Sequence, residues 1–285
     1  MAQTETPRLS SYRHRLPVRI SHWVNAACLL ILLMSGLQIF NAHSALYWGA
    51  ASDFDAPWLS IGAVRGTDGL QGRTEILGHR LDTSGFLGTS GDATNPERRA
   101  FPAWLTIPGP RWLAMGRRWH FFFAWVLVIN AMLYLIWSSA SGHLRELTPT
   151  RRDWRGFGRS LLDHLLLRHP SGSAATRYNI LQKLAYLTVI FGLGTLIVLT
   201  GLCMSPRMDT VLQPLLELFG GRQSARSLHF LAAMGFVLFV AVHLFEVIVT
   251  GPWNNLRSMI TGRYDYRADP PPQQQFKREE TDAEP

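Results

Sequence analysis

The stretch LHFLAAMGFVLFVAVHLFEVIVT, residues 228–250, decides the fold. It holds one acidic group, Glu246, at its far end and is otherwise apolar or small, apart from two histidines. At a rise of 1.5 Å per helical residue it is long enough to cross a hydrocarbon core about 30 Å thick. Three further blocks, residues 22–40, 119–138 and 184–204, have the same character and contain no Asp, Glu, Lys or Arg. A charge at the bilayer centre costs about 3 kcal/mol or more, so its exclusion from all three is what a membrane demands. The expected fold class is all-α, an integral membrane four-helix bundle with a long loop between its first two helices.

Charge distribution sets the topology. The 285-residue chain has a net charge of +8. Residues 1–21 hold four basic residues against one acid, and residues 139–180 hold seven against three. The 41–118 segment is nearly balanced, with eight basic and seven acidic residues. Basic loops stay inside, so this bias marks cytoplasmic faces and not a nucleic-acid partner. Both termini are expected in the cytoplasm. An N-terminal secretory signal is the alternative for the first block, whose length and poor cleavage site argue against it.

The organisation expected is a cytoplasmic segment 1–21, a four-span domain 22–262 and a polar, largely disordered tail 263–285. Within the domain, residues 41–118 form an outer cap and 139–183 an inner loop. The cap shows no strong periodicity, but Trp48, Trp58, Trp104 and Trp112 favour ordered packing on the membrane surface. Thr150 to His169 reads as an amphipathic helix lying among lipid headgroups. Only two cysteines occur, Cys28 and Cys203, both inside spans, so thiolates cannot build a metal cluster.

Histidines supply the chemistry. Ten occur, and His22, His120, His229 and His243 lie in or at the ends of spans. Imidazole in hydrocarbon needs a partner, which can be a hydrogen bond to a neighbouring helix or the iron of a buried haem. His229 and His243 are 14 residues apart on one helix, so they lie about 40° apart around its axis and about 21 Å apart along it. With the N-terminus inside, the fourth span runs inward, placing His229 outside and His243 inside. His22 opens the first span at the inner level and His120 the second at the outer. Each level thus receives two histidines, which suits two stacked haems with bis-histidine ligation. Arg118 and Arg226 flank the outer pair and Arg19 precedes His22; these arginines are candidates for haem propionates or for headgroup anchoring. Gly36 and Gly235 are candidates for close approach of a macrocycle or of a helix.

Residues Arg19-Ile-Ser-His-Trp-Val-Asn25, Trp119-His120, Arg226-Ser-Leu-His-Phe230 and Val242-His243 resemble the bacterial di-haem cytochrome b561 group, which includes cytochrome b subunits of nickel-iron hydrogenases and formate dehydrogenases. The resemblance covers all four spans. It implies two haem b, paired His22 with His243 and His120 with His229, and a quinone site near the inner haem, for which Asn25 and Tyr178 to Lys183 are candidates. More narrowly, Tyr178-Asn-Ile-Leu-Gln-Lys183, Trp154-Arg-Gly-Phe157, Leu199-Thr-Gly-Leu202 and Met204-Ser-Pro206 resemble cytochromes designated thiosulfate reductase b subunits, similar to membrane partners of molybdopterin oxidoreductases. The long first outer loop departs from the hydrogenase and formate dehydrogenase subunits, which points to a different docking enzyme. The expected function is transmembrane electron transfer between quinone and an extracytoplasmic oxidoreductase, with the substrate converted by that partner. The competing readings are a stand-alone small-molecule redox cytochrome, acting for example between superoxide and quinone, and a non-redox anchor or transport bundle.

Overall fold

The computed structural model describes residues 7–66, 69–91, 96–168, 172, 178–205, 207–208 and 210–268. Four helices have the length and apolarity to cross a membrane: Leu16–Phe40, Leu113–Ala140, Ile180–Cys203 and Arg222–Val249. The chain is a multi-pass helical membrane bundle. Each helix begins four to six residues before its apolar block. Backbone hydrogen bonding continues into the headgroup layer, so the apolar block marks the bilayer and not the helix end. On the second span Phe122, Trp125, Ile129, Leu133 and Ile136 follow one another at helical spacing and are all exposed. An apolar stripe without protein cover is what lipid, not water, solvates.

The third span starts at Ile180 because Asn179 and Gln182 form a capping box: Asn179 Oδ1 accepts from the Gln182 N–H at 2.8 Å, and Gln182 Oε1 from the Asn179 N–H at 3.2 Å. Thr188–Leu193 widens into π-helix before the α-helix resumes at Gly194.

Strands are the departure from the all-α expectation. The chain divides into two compact units, residues 22–133 with 189–238, and residues 1–21 with 134–188 and 239–285. In the second of these, β1 (Arg8–Tyr12) pairs antiparallel with β8 (Arg263–Arg267), from Arg8 opposite Arg267 to Tyr12 opposite Arg263. One strand precedes the first span and the other follows the fourth, so their pairing puts both on one side of the membrane. The disordered tail expected from residue 263 therefore opens on a strand; residues 269–285 lie outside those described. Between the spans, Thr150 to His169 is not one helix. It breaks at Gly156 into Arg151–Arg155 and Phe157–Leu165, with Trp154, Leu161 and Leu162 exposed, and His169 lies outside the described residues. Glu246, the acid of the last span, meets His164 at 3.3 Å.

Asp153 caps the first of these short helices and receives Lys183 Nζ at 2.9 Å. The Lys183 hydrogen bond, followed by that from the Thr150 N–H, holds the Asp153 carboxyl at about 2 instead of 3.8. A depressed carboxyl stabilises the fold above its unfolded value and loses that contribution as pH falls through the folded one. Thermal unfolding should therefore show a stability loss from pH 3.8 down to about 2 that Asp153→Asn lacks.

In the other unit the segment between the first two spans folds into strands. β2 (Ala45–Leu46), β3 (Leu59–Gly66), β4 (Gly69–Ile76) and β5 (His79–Asp82) make an antiparallel sheet in that order. β6 (Gly88–Ser90) pairs with β7 (Glu97–Arg99). Phe40 from the first span packs with Leu46, Leu59, Ile61 and Ala100, and Phe230 from the fourth joins them. Cap and span ends thus share one hydrophobic core.

Buried polar contacts fix that junction. Arg99, with 1% of its side chain exposed, donates to Gln38 Oε1, Thr106 Oγ1 and the Gly109 carbonyl, each at 2.9 Å. Asn41 makes a two-way bond with the Phe101 backbone, accepting its N–H at 2.7 Å and donating to its carbonyl at 3.1 Å.

Candidate functional site

The N-terminal end of the fourth span is tied to the cap by three small or basic side chains within six residues of His229. Ser224 Oγ accepts from the Gly49 N–H at 2.8 Å. Ser227 Oγ accepts from Trp58 Nε1 at 2.9 Å and donates to the Tyr47 carbonyl at 2.6 Å. Arg226 donates to the carbonyls of Ala45 and His43. These bonds set the height and rotation of the helix that presents His229. The same Trp58 stacks on exposed Trp48, with centroids 5.8 Å apart, so two of the cap tryptophans pack with each other.

His229 faces His120 of the second span, with ring centroids 6.2 Å apart. Two imidazoles bound to opposite sides of one metal, with bonds of about 2 Å and ring centres about 1.1 Å behind each nitrogen, put their centroids about 6.3 Å apart. The observed spacing would fit two imidazoles holding one iron between them. No group of three or more His, Cys, Asp or Glu side chains is gathered to hold a metal among the described residues.

Each ring is backed by a hydroxyl and a glycine. Ser35 and Gly36 of the first span lie behind His120, with Ser35 Oγ 3.1 Å from its Nδ1. Thr200 and Gly201 of the third span lie behind His229, with Thr200 Oγ1 3.1 Å from its Nδ1. A Cβ at Gly36 would stand 3.4 Å from His120 Cε1, and one at Gly201 3.3 Å from His229 Cε1. The two glycines let the imidazoles rest against the helix backbones. Gly235, the other small residue suggested by the sequence, packs instead on Leu193, 3.0 Å from where its Cβ would be.

A family comparison decides what such a pair belongs to: prokaryotic cytochrome b561 matches residues 13–262. The chain belongs to the prokaryotic cytochrome b561 family. Membership brings haem b as cofactor and transmembrane electron transfer as the class of activity. A protein of Azospira oryzae, YedZ1, named as a candidate subunit of a protein-methionine-sulfoxide reductase, is 35% identical over 247 residues, which is 86% of this chain and 93% of that one. No solved structure matches the chain.

The other residues singled out in this b561 chain are placed as follows. His22 meets Trp23 edge-on at 5.1 Å, and His243 stacks on Phe239 at 5.9 Å. They belong to different compact units, and each is described within its own. Arg19 is half-buried, and its Nε is buried without a hydrogen-bond partner among the described residues. Arg118 is exposed. Arg226 spends donors on cap carbonyls, a structural use that the sequence did not reveal. Of the quinone candidates, Asn25 accepts from Asn130 Nδ2 at 2.7 Å, and Tyr178 meets Tyr186 edge-on, with burial pushing its phenol up. Ser35, Thr200 and Gly201 are the site residues that sequence reasoning missed.

Proposed function

We propose that this b561 chain carries electrons across a bacterial inner membrane between the quinone pool and an extracytoplasmic oxidoreductase, through two b haems. The facing His120 and His229 rings, 6.2 Å apart, carry the reading. They would hold the outer haem, and His22 and His243 the inner. The partnerless buried Nε of Arg19 supports a propionate contact at the inner level. Arg118, at the head of the second span, and Arg226, which also holds cap carbonyls, are the candidates for the outer one. The pairing of β1 with β8 supports termini on a common side, and the excess of arginine makes that side the cytoplasm.

Each haem, when bound, would supply a one-electron iron couple. The protein's task is to hold. Ser224, Arg226 and Ser227 fix the outer end of the fourth span, and Arg99 fixes the cap to the first. The lipid-facing apolar stripes keep water away from the spans, so charges within are poorly screened. The reductase subunit named for the Azospira relative supports an oxidoreductase as partner. A molybdopterin enzyme is the class that the narrower resemblance supports, and the quinone site lies near His22 and His243.

The two glycines give a test of the outer site. Gly201→Val places a branched side chain where a Cβ alone already stands 3.3 Å from His229 Cε1. Loss of outer-haem absorbance is expected, against little change for Gly62→Val in the cap, where a Cβ meets nothing within 4 Å. Function itself is tested in liposomes holding the purified chain. Quinol should reduce its haem, membrane-impermeant ferricyanide should reoxidise it, and His22→Ala should block the quinol step. Haem that quinol leaves oxidised would sink the proposal.

A further inference from the structure

The hydroxyls of Ser35 and Thr200 lie in equivalent places on two different helices. Ser35 Oγ is 2.7 Å from the carbonyl oxygen of Ile31 and 3.1 Å from His120 Nδ1. Thr200 Oγ1 is 2.6 Å from the carbonyl oxygen of Leu196 and 3.1 Å from His229 Nδ1. Both side chains have no solvent exposure.

A hydroxyl has one proton, and a carbonyl oxygen can only accept. The short bonds to Ile31 and Leu196, four residues back along each helix, therefore take the hydroxyl protons. What each hydroxyl can still offer its histidine is a lone pair. Nδ1 must then carry the proton and donate it, which leaves Nε2 as the nitrogen with the free pair. The reverse arrangement, with the hydroxyl donating to Nδ1, would abandon a buried carbonyl bond and put the proton on the nitrogen a metal needs.

We propose that Ser35 and Thr200 are positioning residues that lock His120 and His229 in the Nδ1-protonated form and set the potential of the iron they hold. The proposal rests on the reading of these two histidines as ligands of one haem. A hydrogen bond accepted from Nδ1–H increases the basicity of the ligating nitrogen and favours the ferric state. Two such bonds, one on each axial ligand, act in the same direction. Each small step of sequence, Ser35-Gly36 and Thr200-Gly201, thus does two things: the hydroxyl orients a ring and the glycine makes room for it.

The test uses the purified full chain and a redox titration of each haem, with the outer haem identified as the one lost in His229→Ala. Thr200→Val keeps the shape and removes the hydroxyl, and Thr200→Ser keeps the hydroxyl and removes the methyl. Ser35→Ala and Ser35→Thr make the same contrast on the other side. The outer-haem potential should rise in Thr200→Val and Ser35→Ala by up to a tenfold change in the ferric-to-ferrous equilibrium, about 59 mV for one electron, and stay near the parent value in Thr200→Ser and Ser35→Thr. Loss of the outer haem in Thr200→Val with retention in Thr200→Ser supports the same role. An unchanged potential in both hydroxyl-deletion variants with haem retained overturns the proposal, as does equal loss of haem in Val and Ser variants. Retention of both haems in His229→Ala would instead remove the underlying ligand reading, and this proposal with it.

Discussion

His229→Ala is expected to leave the purified chain with one haem b in place of the two proposed for the parent, and His120→Ala is expected to lose the same one. The two rings face each other across 6.2 Å, so on the proposed ligation they would serve one iron, and either deletion would open the same site. Groups that act as one unit are not additive. The double variant should therefore keep as much haem as either single one. His243→Ala and His22→Ala should remove the other haem. Reduced-minus-oxidised spectra with redox titration distinguish the two components. If His120→Ala and His229→Ala remove different haems, the pairing is wrong.

Arg99→Ala should unfasten the outer cap. Its guanidinium is buried and binds Gln38, Thr106 and the Gly109 carbonyl, so truncation leaves three acceptors facing a cavity in a dry junction. Leaving buried acceptors of this kind without a donor costs about 1–3 kcal/mol each. The helices are held separately by lipid and by their own backbone bonds, so the loss should appear in the cap. Limited proteolysis should cut residues 41–118 far faster than in the parent, with the spans protected. Arg80→Ala, whose Glu75 partner is reached at 3.3 Å on an exposed strand, is the control and should change little. Equal protection in both variants would show that the Arg99 network does not hold the cap.

The four spans were legible because the bilayer imposes one rule on all of them: about twenty apolar residues without charge. Span order put His120 and His229 at one level, and their rings do face each other. The cap was opaque for a physical reason. β3 places only Leu59 and Ile61 in the core, and Gly62, Gly66, Gly69 and Gly72 break the alternation of β3 and β4, so little period-two pattern survives. A sheet resting on span ends needs few apolar residues of its own, since Phe40 and Phe230 contribute to its core. Arg226 was read as a flank of the outer pair, but a sequence does not show which carbonyls a guanidinium will meet. Ser35 and Thr200 escaped because a hydroxyl in a membrane helix ordinarily bonds back to its own helix, as these do. The signal that could have found them is the repeated hydroxyl-glycine step, Ser35-Gly36 and Thr200-Gly201, on two different spans.

One measurement tests the central claim most directly: pyridine haemochrome quantitation of the purified full chain against its protein concentration, together with ferric and dithionite-reduced spectra. Two haem b per chain, both six-coordinate and low-spin, with no carbon monoxide bound after reduction, is the result predicted. One haem or none, or a high-spin iron that takes up carbon monoxide, would contradict it.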